Sequence, residues 1–411
     1  MDDLTNKLQK YAQLIIRSGC NLQPGQELLL SASTDTCEFA RIVTAEAYKQ
    51  GARRVTVRFA DEKITRLHYE NCALEVFESF PQWQALLNNS MAAEGAAVLM
   101  LLSEDPLALV GIDQKKLVAQ SRASYEACKP YHDTISEGKL VWCIVGAAAP
   151  GWASHVYPDL PVDVAVEKLW QAILATVRVD AEDPVAAWEE HRSSFNERKA
   201  WLNAQGFDRL HYKNSLGTDL VVGLNDKGLW QGGGDVTVTG TEFFPNMPTE
   251  EIFTTPNRLR ADGVVYSSMP LIHYGSPVED FSITFKDGKV TRCTARVGQD
   301  VLEAIFSVDE GAGRLGECAL VPWSSPIQQS GVLFYNTLYD ENASCHLAVG
   351  KGFSDCFEGG QQMSEDELLA AGVNKSATHV DFMIGTADLS IDGIKPDGSV
   401  LPLFEQGNWV F

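Results

Sequence analysis

Between Asn246 and Asp381 the chain carries four short clusters: NMPTEE at Asn246–Glu251, LGE at Leu315–Glu317, DENASCH at Asp340–His346 and THVD at Thr378–Asp381. Their Glu, Asp and His side chains are divalent-metal ligands. Zinc, cobalt, manganese and iron accept imidazole nitrogen together with carboxylate oxygen, whereas magnesium and calcium rarely take imidazole. Two histidines with several carboxylates exceed what one four-coordinate ion needs and suit a pair of ions about 3.5–4 Å apart. His379 and Asp381 lie in THVDFMI, a strand pattern, so their side chains share a face. Glu341 and His346 cannot meet on one regular helix face and need a helix end or a loop. Each cluster alone is a weak signal. A Glu-Glu pair such as Glu250–Glu251 is usually a solvated face, and a lone histidine such as His346 is usually structural. Spacing by itself does not decide for a metal site.

The words around these clusters are more specific. NMPTEEIFTTPNR, DEGAGRLGECALVP, SSPIQQSGVLFYNTLYDENASCHLAVGKGF and NKSATHVDFMIG, in this order, resemble the thermophilic-type metallo-aminopeptidases, the family of aminopeptidases S, T and II. The resemblance is densest over 183–411 and continuous but weaker before it. It implies a hydrolase that removes the N-terminal residue of peptides with a hydroxide activated by two divalent ions, zinc, cobalt or manganese; the cysteine pattern, without a CxxC pair, adds the expectation of a cytoplasmic setting. Carried over by position, the implied ligands are Glu251, Glu317, Glu341, His346, His379 and Asp381, with Glu317 bridging the ions. With Glu251 as ligand, Glu250 is the expected general base, a role that needs a bend because neighbours on an extended backbone point to opposite faces, and the NMPTEE alignment could shift the ligand by one to Glu250. The resemblance also implies a homodimer. One position departs from the family: Phe353 stands where a catalytic tyrosine is typical. A phenylalanine cannot donate to a developing oxyanion, and loss of one such donor can cost about 10²–10³ in rate. Tyr335 and Tyr339 are the alternatives for that role. Phe353 also keeps a second reading open, a catalytically weak relative that binds peptides, and an amidohydrolase of non-peptide amides shares the same ligands.

The 411 residues suffice for two domains with substantial cores. A net charge of −22 argues against nucleic acid and anionic membrane surfaces as partners. No apolar run reaches the roughly 18 residues of a membrane span. Nine cysteines without a CxxC pair fit reduced thiols and neither a disulfide framework nor a zinc ribbon. Cys345, beside His346, reads as a small buried residue next to a ligand.

The elements that must carry the site divide into two styles. The first half alternates helix and strand. An amphipathic helix with Leu4, Leu8, Tyr11 and Ile15 is followed by a strand at 27–31, a helix at 36–50 and a strand at 54–59 with Val55, Val57 and Phe59 on one side. The apolar runs 96–102 and 140–145 read as strands buried on both faces, which predicts a parallel sheet. No GxGxxG or P-loop appears, so a nucleotide site has no support. Asp183-Pro184 is an N-cap and first-turn signature opening a helix with Trp188, Phe195 and Leu202 in one stripe. Beyond Gly206 short strands predominate, with Asp287-Gly288 as a hairpin turn. The expectation is a parallel α/β domain over 1–182 and a mixed, β-rich metal-binding domain over 183–411. The boundary moves towards Gly206 if the helix at Pro184 is a connector.

Overall fold

The computed structural model describes residues 3–273 and 276–411. The chain forms two compact units, Met1–Arg192 with Gly234–Pro248 and Ser193–Gly233 with Thr249–Phe411.

The first unit is built on the expected parallel sheet. Its strands are β1 (Glu27–Ser33), β2 (Arg54–Ala60), β3 (Ala97–Leu102) and β4 (Trp142–Gly146), ordered β2-β1-β3-β4, with the two-residue strand Asn246–Met247 added parallel to β4. Leu28, Leu30, Leu99 and Leu101 on one face of the inner strands and Leu29 and Val98 on the other are buried, as expected for strands covered on both faces. The helix Asp3–Leu14 packs Tyr11, Ala12 and Leu14 inward, and the Tyr11 hydroxyl donates to the Gly146 carbonyl at 3.1 Å. The edge strand β2 is less covered than its alternation suggested: Val55 and Val57 are half-buried and Phe59 is exposed. The helices Glu62–Asn71 and Gln82–Ala93 between β2 and β3 were not legible in the sequence. They leave Ile64, Leu67, Trp83 and Leu86 exposed, so no clean apolar stripe marks them.

One residue in this unit works against stability at neutral pH. Glu62 accepts a hydrogen bond from the Asp105 amide at 2.9 Å. Even so, burial, together with the charges of Glu104, Asp105 and Asp35, pushes its carboxyl up to about 7 from an ordinary 4.5. A carboxyl raised on folding contributes stability that is full below about 4.5 and lost as pH rises through about 7. Glu62→Gln keeps the acceptor and removes the titration. It should therefore stabilise the protein at pH 8 by about 1 kcal/mol, a figure discounted for partial exposure. The gain should vanish near pH 4.5. Melting curves at the two pH values check this, and a variant less stable than wild type at pH 8 would contradict it.

The second unit is β-rich, as its sequence indicated. The helix Pro184–Gln205 is divided between the units after Arg192 and does not open the second one at 183; its start is as expected, with Asp183 Oδ1 accepting from the amides of Val185 and Ala186 at 3.0 and 3.1 Å. Trp188, Phe195 and Leu202 of its stripe are all buried. The chain then forms two antiparallel sheets. The larger runs Lys289–Thr294, Ser282–Lys286, Pro256–Tyr266, Asp219–Leu224, Arg209–Lys213, Ser390–Ile394, Val400–Glu405 and Asn408–Trp409. Asp287 and Gly288 both take positive φ (51° and 74°), which a two-residue type I′ hairpin requires. The smaller sheet is ordered β8 (His379–Met383), β7 (His346–Gly350), β6 (Leu315–Leu320), β5 (Ile252–Thr254) and the short strand Gln231–Gly232. A single apolar cluster joins the two sheets. Leu210, Tyr212, Leu220, Val222 and Ile283 come from the larger, and Ile252, Cys318, Leu320, Leu347, Val349, Val380 and Phe382 from the smaller.

Candidate metal centre

That second list is every other residue of β5 to β8, and the period of two gives the site. Side chains alternate across a strand, so the residues between the core-facing ones point to the opposite face. Those are Phe253 on β5, Glu317 and Ala319 on β6, His346 and Ala348 on β7, and His379 and Asp381 on β8. Glu251, two residues before Phe253, continues the same side. The register aligns them in rows: Phe253 with Ala319 and His346, and Glu317 with Ala348 and Asp381. The methyl of Ala348 is thus all that stands between the Glu317 and Asp381 carboxylates in their row.

Strict alternation would put Leu315 and Glu317 on one face. The register between β6 and β7 shifts between them, with Leu315 opposite Val349 and Glu317 opposite Ala348. The extra residue is Gly316, where an added Cβ would lie 2.5 Å from the Gly350 oxygen and 2.3 Å from the Lys351 oxygen. Only glycine lets β6 approach that closely. The bulge sends Leu315 into the core and Glu317 to the site.

Among the described residues two groups of ligand atoms converge to within 4.8 Å: Glu251, Glu317 and His346, and Glu317, His379 and Asp381. Glu317 belongs to both. His346 Nε2 lies 3.2 Å from Glu251 Oε2, and His379 Nε2 lies 3.2 Å from Glu317 Oε2 and 3.3 Å from Asp381 Oδ1. His346 Nδ1 donates to the Ser344 carbonyl at 3.1 Å, and His379 Nδ1 donates to the Lys351 carbonyl at 2.7 Å. A carbonyl can only accept, so each Nδ1 carries a hydrogen, and it is Nε2 that faces the carboxylates: a donor while the ring is protonated, a lone pair once the ring is neutral. This is how backbone partners orient metal-binding imidazoles. The donor set fits two ions with Glu317 common to both.

The remaining sequence-derived residues sit around these five. Glu341 opens the short turn Glu341–Ala343 between a helical turn and β7, a helix end, one of the two placements (helix end or loop) that its separation from His346 allowed. It belongs to neither group, yet its carboxyl lies in the field of Glu251, Asp381, His346 and Glu317. Glu250 is buried and also outside both groups, and its amide donates to Asn342 Oδ1 at 2.7 Å. Asn342 is itself fully buried, and its Nδ2 donates to the Leu338 carbonyl at 2.9 Å. It therefore ties the Glu250–Glu251 segment to the turn that carries Glu341. The sequence reading passed over Asn342, although it stands inside the DENASCH word. It also passed over Asn374, which donates to the Gly350 carbonyl at 2.6 Å and whose own carbonyl accepts from the Gly352 amide at 2.9 Å. Asn374 thus brackets Lys351, whose carbonyl orients His379. Cys345 faces away from the site: it is buried, its thiol donates to the Val321 carbonyl at 3.2 Å, and burial pushes it up to about 12. It is not poised as a nucleophile.

The protonation of the cluster reflects its excess of carboxylates. Burial, with the charges of Glu251 and Asp381, pushes Glu317 up to about 7 despite the hydrogen bond from His379. Burial and the neighbouring carboxylates also raise Glu341. For both histidines burial acts downwards, but the carboxylates outweigh it and raise His346 to about 10 and His379 to about 11. Burial opposes ionisation of Asp381 as well, yet the hydrogen bond from His379 and both imidazolium charges hold it below the usual carboxylate range. Protons here occupy the places that cations would balance, so metal and protons compete for the same atoms.

Phe353 lies against this face. Its ring tilts over His379 with 5.0 Å between centroids and meets Phe253 edge-on at 5.6 Å. Its backbone amide donates to Thr255 Oγ1 at 2.8 Å. Of the two tyrosines considered in its stead, Tyr339 is stacked on Phe334 with no exposed surface, so it cannot touch a substrate. Tyr335 is half-buried.

The model of the thermophilic metalloprotease (M29) family matches residues 4–409. Aminopeptidase AmpS of Bacillus subtilis is 44% identical over 411 residues, spanning 100% of both chains. Aminopeptidase T of Thermus thermophilus is 42% identical over 413 residues, again 100% of both. The solved structure of wild-type AmpT from Thermus thermophilus is similar at a TM-score of 0.93 with 40% sequence identity, covering 99% of this chain and 100% of that one.

Proposed function

The chain belongs to the thermophilic metalloprotease (M29) family, and from that premise we propose that it removes N-terminal residues from peptides on a centre of two divalent ions sharing Glu317. It is a metal-dependent aminopeptidase, by its family and by full-length relatives named as aminopeptidases. The observation that supports the dinuclear centre is the occurrence of Glu317 in both convergent groups.

Glu251 and His346 would hold one ion and His379 and Asp381 the other, with Glu317 common and Glu341 completing the set. Zinc, cobalt or manganese suits this mixture of imidazole and carboxylate. Bound there, such ions supply Lewis-acid polarisation of the scissile carbonyl and acidify a water for attack at neutral pH. The residues do the rest. The Ser344 and Lys351 carbonyls hold the imidazoles in one tautomer and orientation. Asn342 fixes the backbone of Glu250, the proposed general base, relative to the Glu341 turn. A carboxylate of the site receives the substrate's free α-amine. N-acetylated peptides should therefore be inert where the free-amine forms are cut. Equal cleavage of both forms would turn the assignment towards an endopeptidase or amidase.

The resemblance to the family supports a homodimer. The nine cysteines, all of them free thiols, support a reducing, cytoplasmic setting. No helix among the described residues is long and apolar enough to cross a membrane.

Phe353→Tyr should raise kcat several-fold with little change in KM, because a phenol placed beside His379 would donate to the charged transition state more than to bound substrate. Steady-state kinetics of the metal-loaded variant decides the point. An unchanged or lower kcat with metal content intact would show that Phe353 is not a missing catalytic donor.

A further inference from the structure

We propose that Phe253 and Phe353 form the wall against which the first side chain of the peptide packs, so that the enzyme selects substrates beginning with a bulky apolar residue. The inference rests on the aminopeptidase reading and adds to it the residues that choose the substrate. Phe253 lies on the same sheet face as the ligands, two residues after Glu251 and in one row with Ala319 and His346. An extended strand could have placed any residue type there. The core is on the other face, so packing of the fold does not demand an aromatic. Phe353 comes from the loop after β7 and covers the His379 ring at 5.0 Å. The two rings meet edge to face at 5.6 Å, an attractive geometry for aromatic pairs, and both are half-buried and keep some accessible surface. Thr255, fully buried, accepts a hydrogen bond from the Phe353 backbone amide. The result is an apolar corner that starts beside a candidate metal ligand and retains some accessible surface.

The chemistry of the reaction says what fills that corner. The scissile carbonyl must lie at the ions and the α-amine at a carboxylate of the site. The one remaining substituent on the first Cα is its side chain, and it lies within a residue's reach of both. A corner of two half-buried phenyl rings gains by covering its remaining apolar surface and offers no hydrogen bond to a carboxylate or amide. Each additional buried methylene is worth about 10-fold or more in kcat/KM. The wild-type enzyme should therefore cut a leucyl chromogenic amide at least about 10-fold better than the alanyl one, and a glutamyl amide worst.

The test is the leucyl-to-alanyl ratio of kcat/KM, measured with one cobalt-loaded preparation at a time for wild type, Phe253→Ala and Phe253→Leu. A ratio taken within one preparation is independent of the fraction of active molecules, so partial misfolding does not disturb it. The ratio should collapse by about 10-fold in Phe253→Ala and be largely restored in Phe253→Leu. Phe353→Tyr, which keeps the ring, should leave the ratio in place whatever it does to kcat. Parallel loss on both substrates, or an unchanged ratio in Phe253→Ala, overturns the inference while leaving the aminopeptidase reading intact. Failure of the metal-loaded wild type to cut any aminoacyl amide overturns that reading, and the inference with it.

Discussion

Glu317→Ala should lower kcat/KM by at least about 10³-fold and take the bound metal with it. The loss should exceed the roughly 10–100-fold that follows removal of an outer partner of a ligand. The reason is position. Glu317 is shared by the two convergent groups, so its loss damages both, whereas loss of His346 or Asp381 strips a donor from one. The loss should not be one of folding. Glu317 is buried among carboxylates and pushed up to about 7, so without metal it is a burden on the fold. Glu317→Gln, which removes the charge at nearly constant volume, should melt no lower than the wild-type protein in the metal-free state. Activity, metal content and melting temperature of the two variants check this together. Two equivalents of metal and substantial turnover in Glu317→Ala would rule out the shared-ligand role.

Exhaustive chelation should abolish turnover, and cobalt, zinc or manganese should restore it. The same treatment should lower the melting temperature, since an ion at about a thousand times its dissociation constant stabilises the folded state by about 4 kcal/mol. Reloading should weaken as pH falls, because the raised imidazoles and Glu317 must give up protons to bind. Full turnover with metal analysis showing an empty protein would contradict the metal dependence.

The parts of this site that were legible in the sequence are those governed by local rules. His379 and Asp381 share a face because THVDFMI is a strand, and β8 forms over those residues. Glu341 and His346 are parted by a turn, as their spacing required. The alternating helices and apolar runs of the first half gave the parallel sheet, and Asp287-Gly288 gave its hairpin. What was not legible depends on pairing between distant segments. LGECAL shows no apolar-polar alternation that would mark the face of Glu317, and all six of its residues are buried in the fold. The Gly316 bulge that turns Glu317 outwards appears only once β6 is laid against β7. Asn342 and Asn374 act through backbone groups, and no spacing rule announces a side chain that binds the backbone of a remote loop. Phe253 carried a usable signal, standing two residues beyond Glu251 in an extended stretch, but it acquires meaning only beside Phe353.

A Glu317 shared between two ions requires that one chain hold both of them. Crystals of the cobalt- or zinc-loaded protein, with diffraction recorded on both sides of the metal's absorption edge, test it directly. Two anomalous peaks per chain are expected, one beside Glu251 and His346 and one beside His379 and Asp381, each within coordination distance of a Glu317 oxygen. A single peak, or two peaks of which only one touches Glu317, would contradict the shared-ligand centre.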